Sequence, residues 1–335
     1  DPGMANYTDK VAKTLYPADF ERLKAWRKDW TKPLEHHEIA RLQQLSDKID
    51  ALWREHVDAL IRDRAATEDP LVVWPAKDLG VSATPRSLKE ETRKKGLLND
   101  DGDLATPYRR LKLVMDYWCA LWFWPIQGSS TLPMREQWWM EIGAILEGNI
   151  VDLAPQGGFD FSAAPEPQQL VPEIQNDMFG AVQPVLTTAV AQPSLHDKYG
   201  QLRIKKLREH FPRIATVEAI AATRRFMHWE LTFADVFSQR GGFDLVLGNP
   251  PWLKVEWNEA GILGEAKPLF AIRKFSATEL TRERAKAFEE FPRLQGEWTA
   301  ELEEAEATQN FLNGTQNYPL LKGSQTNLYK CFMPL

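Results

Sequence analysis

Two consecutive prolines, Pro250 and Pro251, follow Gly248 and Asn249 at the end of a short apolar run, residues 243–247. Each proline locks φ and removes an amide donor, so the chain cannot pass from this run into a helix and Asn249 is pushed toward an extended conformation. The Gly241-Gly242 pair ahead of the run and Gly248 behind it predict a buried strand that closes in a tight turn. Beyond that turn lies a rigid corner rich in acceptors. The side-chain carbonyl of Asn249 and a neighbouring backbone carbonyl can face one amino group, and Trp252 offers a flat face to a planar ring. Such a corner suits an exocyclic amine on an aromatic ring. Accepting both amine protons draws the nitrogen lone pair out of conjugation and frees it to attack an electrophilic carbon. A bare Asn-Pro-Pro is also an ordinary turn, so its surroundings carry the weight.

Upstream, residues 228–237 read His-Trp-Glu-Leu-Thr-Phe-Ala-Asp-Val-Phe, an alternation that predicts a second strand ending at the acid Asp235. An aspartate is also a common helix cap. Ahead of this stretch, 213–225 reads as a helix opened by Pro212. A helix, a strand ending in Asp235, a link and a strand ending in Asn249 suggest part of a parallel, Rossmann-like sheet, whose function sits at the carboxyl ends of its strands. The link from Asp235 to Phe243 is too short for a crossover helix, which departs from simple alternation.

With its apolar approach and the upstream Ala234-Asp235-Val236-Phe237, the Asn249-Pro250-Pro251-Trp252 block resembles the catalytic motif of S-adenosylmethionine-dependent amino-methyltransferases, above all DNA adenine-N6 methyltransferases. Through Lys254-Val255-Glu256-Trp257 it is most similar to the large methyltransferases of fused restriction-modification and phage-defence systems. The likeness is tight over residues 226–258 and loose elsewhere. It implies a catalytic set of Asn249, Pro250, Pro251 and Trp252, cofactor contacts at Asp235 and Val236, S-adenosylmethionine as cofactor, and double-stranded DNA with a flipped adenine as substrate. No Gly-x-Gly occurs in the sequence, although the methionine part of such a cofactor is usually cradled by a turn of that kind. The resulting expectation is an internal fragment of a larger enzyme, with the remaining domains of the parent protein as partners and little activity by itself. Two other readings stay open: an amine acceptor on RNA adenine or protein glutamine, and a non-enzymatic helical interaction module.

The expected fold class is mixed α/β and helix-rich, a helical domain plus part of a Rossmann-like methyltransferase sheet. The expected divisions are a helical domain or insertion over 1–150, a linker with helices over 151–211 and a catalytic region over 212–335. Helices are predicted over 16–30, 35–64, 107–124, 133–146, 167–181 and 198–210, with a helix or helix pair over 278–307. Residues 257–264 are expected to form a glycine-bearing loop and 70–77 a short apolar connector. Six tryptophans, Trp53, Trp118, Trp122, Trp124, Trp138 and Trp139, fall in the helical segments and are expected to pack in the core.

A net charge of −6 argues against a surface that grips nucleic acid everywhere. The best local cluster is Arg203, Lys205, Lys206, Arg208, Arg213, Arg224 and Arg225, which suits a solvated helix face as well as a DNA backbone. No apolar run approaches bilayer length and no secretory signal is evident, so a cytoplasmic protein is expected. Cys119 and Cys331 are expected to be buried thiols. His36, His37 and His56 lack metal-ligand spacing, and no metal site is expected.

Overall fold

A computed structural model of the chain describes residues 2–69, 84–95, 102–148, 195–273, 275–323 and 327–332. The predicted linker after residue 148, the helix over 167–181 and the connector over 70–77 lie outside the described residues. The remainder is a stack of helices around one extensive apolar cluster that runs from Met4 to Ala307.

The chain enters through α1 (Lys10–Leu15) and α2 (Pro17–Trp30), which opens with Pro17 in its first turn, where a missing N–H costs nothing. The long α3 (His36–Thr67) starts where the Glu38 carboxylate accepts the Glu35 amide at 2.8 Å, and it buries Leu45, Leu52, Val57 and Leu60. The apolar spacing over 35–64 predicts this stripe from Leu45 onward, but its first members, Ile39 and Leu42, are exposed. After α4 (Arg86–Lys95), α5 (Pro107–Ala120) begins with a Thr106 cap and a proline at its first position. The helix stops short of the predicted Trp124. Trp122 and Trp124 lie in the turn that follows it, both fully buried. Next, α6 (Arg135–Glu147) ends on Gly148 in the left-handed region, φ 78°, as helix C-termini commonly do.

Past the undescribed stretch come α7 (Ile204–His210), α8 (Arg213–Arg224), α9 (Trp229–Thr232) and α10 (Ala234–Arg240). The chain then continues through α11 (Glu259–Ala266), α12 (Leu269–Ile272), α13 (Ala277–Glu290), α14 (Leu294–Asn313) and α15 (Leu328–Cys331). The segment expected to be a glycine-bearing loop after Trp257 is therefore largely helix α11, with the Asn258 side chain capping the Gly261 amide at 3.1 Å. Helix α5 packs against α3, α6 and α8, and α3 also packs against α10. Residues on both sides of 151–211 thus contribute to the same core.

The predicted Rossmann-like sheet is overturned. Among the described residues there is no strand; the β-type pairing consists of two isolated bridges, Leu104 with Arg203 and His196 with Leu202. Around Asp235 the reason lies in the spacing. Trp229, Phe233 and Phe237 are four apart, an interval that puts side chains on one face of a strand and equally on one face of a helix. The helical option also buries Leu231 and Ala234, and Ala234 joins Val57 and Leu60 of α3. The run 243–247 takes no regular form because a strand needs a neighbour for its backbone groups, and the described residues offer it none.

Candidate functional site

Helices α9 and α10 lead the chain to the predicted corner. Trp229 stacks on Phe233 at 5.6 Å, and Phe243 sits edge-on to Phe233 at 5.1 Å and to Phe237 at 5.7 Å. This aromatic nest anchors the start of an irregular arm, residues 243–258. Beyond Phe243 the arm stands in solvent: Leu245, Val246 and Leu247 are 71, 63 and 84 % exposed, and Trp252 is 75 % exposed. Asn249 is exposed as well, and its side chain makes no hydrogen bond among the described residues. Its carbonyl oxygen and amide are therefore both available to a ligand.

Contacts from α14 and α15 hold the far end of the arm. The Leu328 amide donates to the Leu253 carbonyl at 3.1 Å, Gln309 Nε2 donates to the Val255 carbonyl at 2.5 Å, and Trp257 packs edge-on against Trp298 at 5.5 Å. Tyr329 lies nearly parallel to Trp252, with ring centroids 4.9 Å apart and an interplanar angle of 24°. The corner therefore already contains one aromatic stack beside an open acceptor. The sequence singled out Trp252 but not Tyr329, because nothing in local spacing links a residue in the last helix to the proline pair.

Asp235 does not end a strand. It occupies the first turn of α10 and is buried, 8 % exposed, where a negative charge is favoured by the exposed amides of a helix start. Oδ2 pairs with Arg64 Nε at 2.8 Å, and Arg64 also lies over the Phe233 ring at 5.8 Å. Oδ1 is buried with no hydrogen-bond partner among the described residues. One acceptor at this position is thus pre-oriented and unused. Val236 beside it is half-buried. Arg64 escaped the sequence reading because it sits at the end of α3, far away in the chain.

The basic cluster singled out in the sequence is mostly spent on the fold. Arg203 pairs with Asp197, Arg208 is doubly bonded to Glu218, Arg213 grips Glu141 and the Thr131 carbonyl, Arg224 pairs with Glu304, and Lys206 donates to the His196 carbonyl. Lys205 and Arg225 make no ion pair among the described residues. Arg213 and Tyr117 together hold the buried Glu141, whose carboxyl is nonetheless raised by burial.

Neither cysteine is a nucleophile in this setting. Both are free, burial pushes the Cys119 thiol up to about 12, and burial raises Cys331 too; a thiol needs its thiolate to react. His56 is fully buried with Nε2 2.8 Å from the Leu231 carbonyl, and burial lowers its pKa. Among the described residues no group of three or more His, Cys, Asp or Glu converges as a metal site, and no helix is long and apolar enough to cross a membrane.

The model of one protein family, described as Eco57I restriction-modification methylase, matches residues 111–284. That span is just over half of the chain and includes Asp235, the aromatic nest and the whole arm through Trp252. No curated protein and no solved structure matches the chain. With the Asn249-to-Trp252 corner and the helices α9 and α10 that lead to it inside the matched span, the chain belongs to the Eco57I restriction-modification methylase family.

Proposed function

We propose that this chain carries the amine-binding corner of a DNA adenine-N6 methyltransferase of a restriction-modification or phage-defence system. The observation that supports this reading most directly is the exposed Asn249-to-Trp252 corner, unpaired at Asn249 and stacked on one ring, lying inside the span that matches a methylase family. In this reading a base flipped out of the duplex lies against Trp252. The Asn249 side-chain oxygen and the Pro250 carbonyl accept the two protons of its N6 amine, while Pro251 fixes the direction of the chain beyond them. Holding both protons localises the nitrogen lone pair, so the corner works by positioning and polarisation.

S-adenosylmethionine would supply an electrophilic methyl group on a sulfonium. The residues present fit one part of it: the orphaned Asp235 Oδ1 is a buried acceptor for a hydroxyl or amine of that molecule, with Val236 as an apolar neighbour. A Gly-x-Gly turn for the methionine part is not in this sequence. The chain alone is therefore expected to bind S-adenosylmethionine weakly and to transfer methyl groups poorly, with the other parts of the parent enzyme completing the site.

The test is methyl transfer from radiolabelled S-adenosylmethionine to duplex DNA by the full-length parent protein. Asn249→Ala should lower the rate by roughly 100-fold or more, the scale of losing one preorganised transition-state contact, without shifting the melting temperature. A variant that methylates DNA at the parent rate would end this reading. Label appearing on RNA or on a protein glutamine instead would move the same corner to another amine.

A further inference from the structure

A cavity of about 450 Å³ opens between α5, α7 and α8, and four cationic side chains line it: Arg109, Lys112, Arg208 and Arg225. Its two acids are Asp116 and Glu218, and both are already engaged. Asp116 binds Lys112 at 2.8 Å through one oxygen and His228 at 2.7 Å through the other, while Glu218 takes two bonds from Arg208 at 2.5 and 2.7 Å. The lining thus sets four cations against two acids. Ile204 and Phe226 supply apolar wall, while Arg225 itself is exposed to solvent.

Arg225 is the informative member. It caps α8 in the left-handed region, φ 54°, where glycine or asparagine is the usual occupant. Its side chain makes no ion pair among the described residues, in contrast to most of the cluster around it. A cation at a helix C-terminus is favoured by the helix dipole, which accounts for the charge but not for its place in the wall of a cavity that already has a surplus.

From this geometry we infer that the cavity between α5, α7 and α8 binds a phosphate-bearing anion, with Arg225 as its uncommitted guanidinium. A planar guanidinium suits phosphate because it presents two parallel donors. The phosphate comes either from the backbone of bound DNA or from a free phosphate-containing ligand. The DNA source rests on the proposed function; affinity of the cavity for phosphate does not.

Two measurements on the full chain separate these. Calorimetric titration with inorganic pyrophosphate tests the cavity, and anisotropy of a short fluorescein-labelled duplex at several salt concentrations tests the source. The informative variant is Arg225→Gly, because glycine accepts φ 54° without strain and should melt no lower than the parent. Pyrophosphate should bind the parent and bind Arg225→Gly about 5- to 20-fold more weakly, with Arg225→Lys in between. If duplex binding also weakens and its salt dependence falls by about one counterion, the ligand is the DNA backbone. If the duplex is unaffected while pyrophosphate binding falls, the ligand is a free phosphate. Absence of pyrophosphate binding to the parent, or binding unchanged in Arg225→Gly, overturns the inference whatever methyl transfer by the parent enzyme shows.

Discussion

The tryptophans Trp122 and Trp252 show how differently the two regions of this molecule are built. Trp122 is fully buried, packed edge-on against Phe311 at 5.6 Å in the turn after α5. Trp252 is three-quarters exposed and touches Tyr329 on an arm with few internal contacts. The helical body derives its stability from burial; the exposed arm contributes little to that stability. Substitutions in the two regions should accordingly have opposite signatures.

The largest effect is expected at Trp122. Trp122→Ala should cost about 3–5 kcal/mol of unfolding free energy, as removal of a buried aromatic commonly does, whereas Trp252→Ala should change it by less than about 0.5 kcal/mol. Urea denaturation of the two variants side by side checks this. Comparable losses would mean that the arm is part of the cooperative unit.

A second test acts on the body through pH. Glu303 on α14 is half-buried, and burial pushes its carboxyl up to about 7 from 4.5 even though it accepts the Ile126 amide at 2.7 Å and lies near Arg224. A folded-state pKa above the unfolded value means that the folded protein binds the extra proton. Stability should therefore fall as pH rises from 4.5 to about 7 and this group should contribute no further change above that. The full span is about 3 kcal/mol. Glu303→Gln should flatten the fall in melting temperature across that window; an unchanged profile would show that another group governs it.

The stripe over 35–64 became α3 because its spacing has one structural solution, a helix that buries one face from Leu45 to Leu60. The steps of four among Trp229, Phe233 and Phe237 had two solutions, and packing on α3 chose the helix. For residues 243–247, the apolar run predicted burial, but burial of a strand depends on neighbours that local sequence does not specify. Within the corner, Asn249 and Trp252 stand out in the sequence as candidates because the proline pair isolates them. Tyr329, Arg64 and the Arg225 cavity depend on contacts between distant helices, which no local spacing encodes.

The smallest expected effect lies in the middle of the arm. Leu247, 84 % exposed, should accept Leu247→Ser with a change within about 0.5 kcal/mol, checked by thermal melting. A loss above about 1 kcal/mol would place Leu247 in a packed environment and erase the contrast between arm and body.

Trp26 and Trp30 both donate from Nε1 to the Pro133 carbonyl, and Trp30, Trp138, Trp139 and Trp118 continue the chain of rings with centroids 5.0 to 6.3 Å apart. Indoles this close couple their electronic transitions. Their exciton bands overlap the amide signal, so the circular dichroism of this protein should report tertiary order around Pro133 together with helix content, and the two should separate when the indole cluster loosens before the helices melt.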